Sequence, residues 1–315
     1  MAAKKTTKKK AKRATKVPAV RYLRYELTNS ANPGTETSHY IDLAKDLSKV
    51  NRRLYRQGRD YHVKKITVVS SNTPNGDNRI SVSTAPDSWV TRMAWKRGFA
   101  TWNKMDKIAQ EQTSGNIGAT WRDFKVYLTT DMNGGSNLSP VDNGGNAADN
   151  GEWIYSRLIT PDGTTGDDEF LLHLLGNHTG SVGAWGSVGL IKSYGESRAT
   201  VQTGDPNVPG TASDDPLVNV FDYGTTIDEV IDNLEAHNDI PPYDIDEYPG
   251  SDGNMPKPLI TQDTTLVDGR AVMGGFNAMC GLLELEAKSP IANDTFSVLV
   301  ELAPGKYRGI HAEMI

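Results

Sequence analysis

Sixteen residues at the start of the chain dictate how the rest must be read. The segment MAAKKTTKKKAKRATK carries Lys4, Lys5, Lys8, Lys9, Lys10, Lys12, Arg13 and Lys16 and no acidic side chain. It contains no Leu, Ile, Phe or Trp. Such a stretch has nothing apolar to bury against the entropy of ordering, so it is expected to be disordered in the free protein. The formal net charge of −5 conceals a partition. Eight of the 34 basic residues sit in this arm, which leaves the other 299 residues with 26 basic and 39 acidic side chains, a net −13. A +8 leader on an acidic body sorts one end towards polyphosphate and the other towards solvent.

Lysines that neutralise phosphates release condensed counterions, which drives binding without regard to sequence. No aromatic residue interleaves them, so base stacking is not the expected mode. The KKK-x-KR run also fits a nuclear-import signal, compatible with genome binding in the same segment. Pro18 ends the arm. The expected division is a nucleic-acid-binding arm over 1–18 and a single folded domain over 19–315.

The 315-residue chain has one cysteine, Cys280, so no internal disulfide forms and no cysteine-based zinc cluster is available. Its apolar neighbours predict a buried, inert thiol. The longest apolar runs are strand-length, well below the roughly 20 residues of a membrane span.

Beyond the arm the patterning alternates between strands and two helices. A strand with a possible bulge is expected over 19–29, from the alternation of Val20 and Tyr22 followed by Tyr25 and Leu27. Leu43, Leu47, Val50 and Leu54 form one stripe of a helix over 42–57, stopped by Gly58. Arg52, Arg53, Arg56 and Arg59 crowd its end, where cations suit the helix dipole. The first three are candidate genome contacts, against the plainer reading of a salt-bridged helix end. Strands are expected over 62–71 and 79–84, and the Asn-Gly between them reads as a hairpin turn. A helix over 85–112 carries the stripe Trp95, Phe99, Trp102 and Met105, although Gly98 argues against continuity.

Further strands are expected over 124–130, 153–160, 170–176 and 182–193. A long loop region with a short helix near 227–234 follows over 203–265. Two closing strands, 279–287 and 296–302, look like a pair. Short strands joined by polar Gly/Asn/Asp loops suggest an all-β sandwich, barrel or jelly roll.

Little in the chain marks catalysis. None of the six histidines falls in a metal-ligand motif, and no nucleophile elbow, P-loop or dinucleotide fingerprint occurs. No enzymatic activity, cofactor or metal site is expected. Two acidic runs are weaker candidates for calcium between subunits: Asp167, Asp168 and Glu169, and Asp244, Asp246 and Glu247.

The Lys/Arg-rich start, the stretch YIDLAKDLSKVNRRLYRQGRDYHVKKITVVSS and the stretch DSWVTRMAWKRGFATWNKM resemble capsid proteins of small circular single-stranded DNA viruses of the circovirus-like, replication-initiator-encoding assemblage. The resemblance covers roughly the first 130 residues. It implies an eight-stranded viral jelly roll of two packed sheets, with helical and long loop insertions. It also implies an inward-pointing arm that packages single-stranded DNA, icosahedral self-assembly, and residence in the virion and the host nucleus, where nuclear import receptors are further partners. The arms of such coats are often Arg-rich, and this one is almost all lysine. Charge neutralisation survives that departure better than bidentate recognition does. Two alternatives stay open from the residues alone: a cellular nucleic-acid-binding protein with a basic tail, and a β-sandwich enzyme or carbohydrate binder.

Overall fold

One nested pairing rule organises the main body of the protein. The computed structural model describes residues 18–70, 78–113, 120–148, 151–159, 169–181, 184–197, 259–266 and 268–315. In chain order the strands are β1 (Tyr22–Thr28), β2 (Thr37–Asp42), β3 (Arg59–Ser70), β4 (Arg79–Thr84), β5 (Arg157–Ile159), β6 (Glu169–His173), β7 (Thr179–Ser181), β8 (Ala184–Gly189), β9 (Leu259–Thr265), β10 (Arg270–Met273), β11 (Phe276–Ala278), β12 (Leu282–Lys288), β13 (Thr295–Leu302), β14 (Pro304–Gly305), β15 (Gly309–Ile310) and β16 (Ala312–Met314). The α-helices are α1 (Leu43–Asn51), α2 (Trp89–Gln112) and α3 (Leu190–Glu196).

Eight of these strands make two antiparallel sheets, β1-β13-β3-β10 and β2-β12-β4-β9. Numbered one to eight in chain order, the first pairs with the eighth, the second with the seventh, the third with the sixth and the fourth with the fifth. The chain changes sheet at nearly every connection. β11 and β16 extend the first sheet along β3. The protein is therefore mostly β, with few helices, as expected of an all-β sandwich.

Alternation explains the faces. β1 buries Leu23, Tyr25 and Leu27 and exposes Tyr22. These meet Ile41, Val63, Ile66, Val68, Ile80, Val82, Leu283, Leu285, Phe296, Val298 and Val300 in one core. The bulge expected in β1 is absent: its register with β13 is unbroken from Tyr22 to Thr28. Val20 and Tyr22, the first members of the alternation, are half exposed, so the inward phase begins at Leu23.

Both expected hairpins are overturned. β3 and β4 lie in different sheets, as do β12 and β13. Period-two alternation identifies a strand but not its neighbour, and the two halves of each candidate hairpin bury their apolar faces against each other across the sandwich instead. The Asn-Gly turn itself lies outside the described residues.

Other boundaries shift. The stretch 124–130 makes only an isolated bridge, Tyr127 to His173. The strand expected over 182–193 ends at Gly189 and turns into α3. Part of the expected loop region is the strand β9, while the helix expected near 227–234 lies outside the described residues.

Between β4 and β9 the chain builds a second unit on the outer face of the β2-β12 sheet. The sheet β5-β6-β8-β7 packs with α2 and α3 around Phe124, Val126, Leu128, Leu172, Leu174, Leu190 and Ile191. Tyr40 and Leu282 of the sandwich belong to the same cluster. The aromatic stripe of α2 serves this core: Trp95 stacks on Phe99, and both meet Phe124 edge-on. Gly98 does not break α2. A Cβ there would lie 3.0 Å from Leu190 and 3.2 Å from Phe124, so the glycine permits close helix packing.

Two polar hubs fasten the layers. The buried carboxylate of Asp42 caps α1 by accepting from Lys45 N (3.0 Å). It also accepts from Gln57 Nε2 (2.8 Å), Trp153 Nε1 (3.0 Å) and Tyr155 OH (3.1 Å). Arg92 of α2 donates to Asp60 of β3, to Asp87 and to the Met314 carbonyl. Asp42→Ala removes the acceptor of three side-chain donors and a cap. At roughly 1–3 kcal/mol per orphaned buried donor and about 1 for the cap, the expected loss is about 4 kcal/mol or more. Urea unfolding checks this, and a loss below about 1 kcal/mol would rule out the hub.

Candidate nucleic-acid interface

The candidate interface lies where α1 stops. The helix expected to reach Gln57 ends at Asn51, because Arg52 adopts the left-handed conformation (φ 52°) and returns its N–H to Ser48 O. Arg53 N also donates to Ser48 O, and Ser48 Oγ accepts from Tyr55 N at 2.8 Å. With its carbonyl and hydroxyl both engaged, Ser48 turns the chain out of the helix.

The connection to β3 then alternates in burial. Tyr55 and Gln57 point inward, and Arg52, Arg53 and Arg56 stay exposed. Tyr55 OH donates to Arg308 O (2.9 Å), Tyr61 OH donates to Arg56 O (2.7 Å), and Val126 N donates to Gln57 Oε1 (2.7 Å). The inward residues lock the turn, and the arginines are what it displays.

The four arginines have different roles. Arg52 and Arg53 make no side-chain ion pair among the described residues. Arg56 pairs with Asp123 at 3.2 Å, and burial is the main reason that this carboxyl's pKa is raised. Arg59 lies 3.7 Å over the Tyr307 ring and donates to the Ala312 carbonyl, so it serves packing at the end of β3. The plain reading of a salt-bridged segment thus holds for Arg56, and the dipole argument applies to Arg52, the C-cap, and to Arg53 beside it, but not to Arg56 and Arg59, which lie farther from the end of α1.

Tertiary contacts add cations that the linear sequence did not place here. Lys306 and Arg308 sit in the tight β14–β15 hairpin, and a guanidinium N–H of Arg308 donates to the Leu54 carbonyl. The arm enters at the same place. Val20 N donates to Asn51 Oδ1 (2.8 Å), and Asn51 Nδ2 donates back to Val20 O (3.1 Å). A Cβ on Gly309 would come within 2.7 Å of Ala19. The last residue of α1 thus clasps the root of the arm directly before Arg52. Beside this clasp, Arg24, Lys49 and Arg52 line an open groove of about 860 Å³ that also contains Asp142. Arg24 is paired with Glu26 at 2.5 Å.

Lys4, Lys5, Lys8, Lys9, Lys10, Lys12, Arg13 and Lys16 lie outside the described residues, as do Asp167, Asp168, Asp244, Asp246 and Glu247. Glu169 pairs with Arg157 at 2.8 Å. Among the described residues there is no group of three or more His, Cys, Asp or Glu side chains able to hold a metal ion. Cys280 is fully buried, and burial raises its pKa well above the ordinary thiol value. No helix among the described residues is long and apolar enough to cross a membrane.

Comparison with protein-family models, curated proteins and solved structures returned no match.

Proposed function

We propose that the chain is the coat subunit of a small icosahedral virus, of the circular single-stranded DNA kind that residues 40–71 and 87–105 resemble. In this reading the subunit self-assembles, and its arm holds the genome. The observation that carries the reading is the convergence of two cationic features. Val20, four residues past the +8 segment, is clasped to Asn51, beside the exposed Arg52 and Arg53. One end of the sandwich thereby gathers positive charge on an otherwise acidic body, which gives a subunit an inner and an outer side.

The nested strand order supports a jelly roll. A hairpin of four pairs, one-to-eight through four-to-five, rolled until the eighth strand meets the third and the seventh meets the fourth, yields these two sheets. Sandwiches of that kind recur in viral shells and in lectins. The mechanism is neutralisation. Each lysine that replaces a counterion on the nucleic acid lowers the repulsion that resists confinement, and the entropy of ion release drives the binding.

Size-exclusion chromatography with negative-stain electron microscopy of the purified full chain tests the assembly. Shell-sized particles are the expected result. A monodisperse monomer across a range of salt and pH refutes a coat role and favours a cellular nucleic-acid-binding protein using the same interface. The double variant R52E/R53E is expected to retain less nucleic acid with a melting temperature within a few degrees of the parent, since exposed unpaired charges contribute within about 0.5 kcal/mol to stability. Unchanged retention would make these two arginines ordinary solvated charges.

A further inference from the structure

Four Asn-Gly pairs occur in the chain, and two of them, Asn133-Gly134 and Asn143-Gly144, lie wholly within the described residues. Asparagine before glycine is prone to intramolecular attack, because the glycine nitrogen has no side chain beside it to hinder the approach. The sequence makes the two pairs equivalent, since each is followed by a second glycine. The structure separates them.

Gly144 is held. Its N–H donates to Asp142 Oδ1 at 2.8 Å, and the same oxygen accepts from Asn146 N at 2.9 Å. Asp142 N donates to Asn146 O (2.9 Å) and Gly145 N to Asp142 O (3.1 Å), so the turn is tied across itself. Hydrogen bonds, first that from the Asn146 backbone, keep the Asp142 carboxyl below its ordinary pKa. The ionised carboxylate both occupies the Gly144 N–H and repels the negative charge that this nitrogen must develop to attack. Gly134 differs on each count. Among the described residues neither its N–H nor the Asn133 side chain makes a hydrogen bond, and both residues are exposed. A Cβ on Gly134 would meet no atom within 4 Å, so nothing crowds the nitrogen. The φ of +87° at Gly134 favours glycine, so the turn itself keeps the unhindered residue behind Asn133.

We propose that Asn133 is a site of spontaneous deamidation in the folded protein, and that Asn143 is protected. The Gly134 nitrogen bonds to Asn133 Cγ, the Cγ–Nδ2 bond breaks, and the amide leaves as ammonia with the proton that Gly134 N gives up. Water then opens the succinimide at either carbonyl, which leaves aspartate or isoaspartate. Each event adds one negative charge close to Asp131, and isoaspartate also inserts a methylene into the main chain. The loop is pinned on both sides of the reacting pair. Asn137 Nδ2 donates to Met132 O at 3.0 Å, Tyr40 N of β2 donates to Ser136 O at 2.8 Å, and Leu138 N donates to Tyr40 O at 2.8 Å. The added length must therefore be taken up at the loop tip, beside the edge strand β2. The inference is independent of the coat reading.

Warm incubation of the full chain at pH 8, with conversion at each asparagine followed by tandem mass spectrometry of its peptides, tests it. Asn133 is expected to convert at least about tenfold faster than Asn143, the factor contributed by a hydrogen bond to an ionised carboxylate. In the urea-unfolded chain, where that bond is gone, the two rates are expected to converge. Asp142→Ala releases Gly144 N and is expected to raise the Asn143 rate about tenfold. The Asn133 rate in the same variant should not change, which shows that the rest of the fold persists. Conversion of Asn143 as fast as Asn133 in the folded chain, a ratio no larger than in urea, or an Asn143 rate unmoved by Asp142→Ala overturns the proposal.

Discussion

Deletion of residues 1–16 is expected to abolish most of the salt-sensitive nucleic-acid binding and to leave a folded body behind. Single-stranded binding that neutralises Z phosphates falls with salt on a log–log slope of about −0.7Z, so eight arm cations predict a slope of about −6. Between 50 and 200 mM salt that corresponds to roughly a thousandfold loss of affinity for the full chain. Without the arm, Arg52 and Arg53 leave a slope of only about −1 to −2. Fluorescence anisotropy with a labelled oligo-dT at several salt concentrations, using unassembled subunits, reads both slopes. Equal slopes for the full and truncated chains would show that the arm does not carry the contact. Every core residue described in the sandwich lies beyond the deletion, so thermal unfolding of the body is expected to be nearly unchanged.

Asp46→Asn is expected to stabilise the protein at pH 8 while changing little at pH 4. The Asp46 carboxyl is fully buried in the first turn of α1. Among the described residues only Tyr25 OH donates to it, at 2.8 Å on Oδ2, and Oδ1 has no partner. Asp42, Lys45 and Lys49 are the other charged groups acting on it, and burial is the dominant influence, raising its pKa from 3.8 to about 7.

The sign follows from proton counting. Between these two values the folded protein holds a proton that the unfolded chain has released, so folding stability falls as pH rises through this window. About three pKa units at 1.36 kcal/mol each amount to roughly 4 kcal/mol in all. Asparagine mimics the neutral acid at every pH, so the variant's advantage over the parent should grow by about that amount between pH 4 and 8. His173 works in the opposite sense. Its lowered pKa makes stability fall as pH drops below the ordinary imidazole value of 6.5. That contribution is common to both proteins and cancels in the difference. Denaturant unfolding of the pair at pH 4.5, 6 and 8 measures it. A difference that stays flat would mean that Asp46 is ionised throughout.

Strand identity was legible wherever alternation was clean. The strand at 79–84 was placed to the residue, and β13 to within one. The helical stripe of α2 announced an apolar interface, because a 3.6-residue period of aromatics has few other uses. Partnership was not legible. Nearness in sequence suggests pairing of β3 with β4 and of β12 with β13. Neither pair forms, because the sandwich places these consecutive strands on opposite sheets. The stop of α1 was missed for a local reason. Leu54 continues the apolar stripe beyond the point where Ser48 captures the backbone, so periodicity alone runs three residues past the helix and more.

The candidate interface divides along the same line. The arm's charge is a property of composition and needs no fold. The run of arginines near residue 52 was visible as a cluster, but its members' employment was not. Arg59 stacks on Tyr307 and Arg308 reaches Leu54, contacts between residues about 250 positions apart.

By itself the sequence determined what each segment can tolerate: a lysine-rich leader that cannot bury itself, alternating strands that must cover one face, and a helix with an aromatic stripe that must be packed. Those are consequences of local chemistry, set by each side chain's interaction with water. Only the tertiary structure decided which strands share a sheet, that Asn51 holds the arm's root beside Arg52, and which buried polar atoms go unsatisfied. Each of these depends on groups far apart in the chain meeting at a few ångströms, and the energy of such a meeting is written in no single stretch of residues.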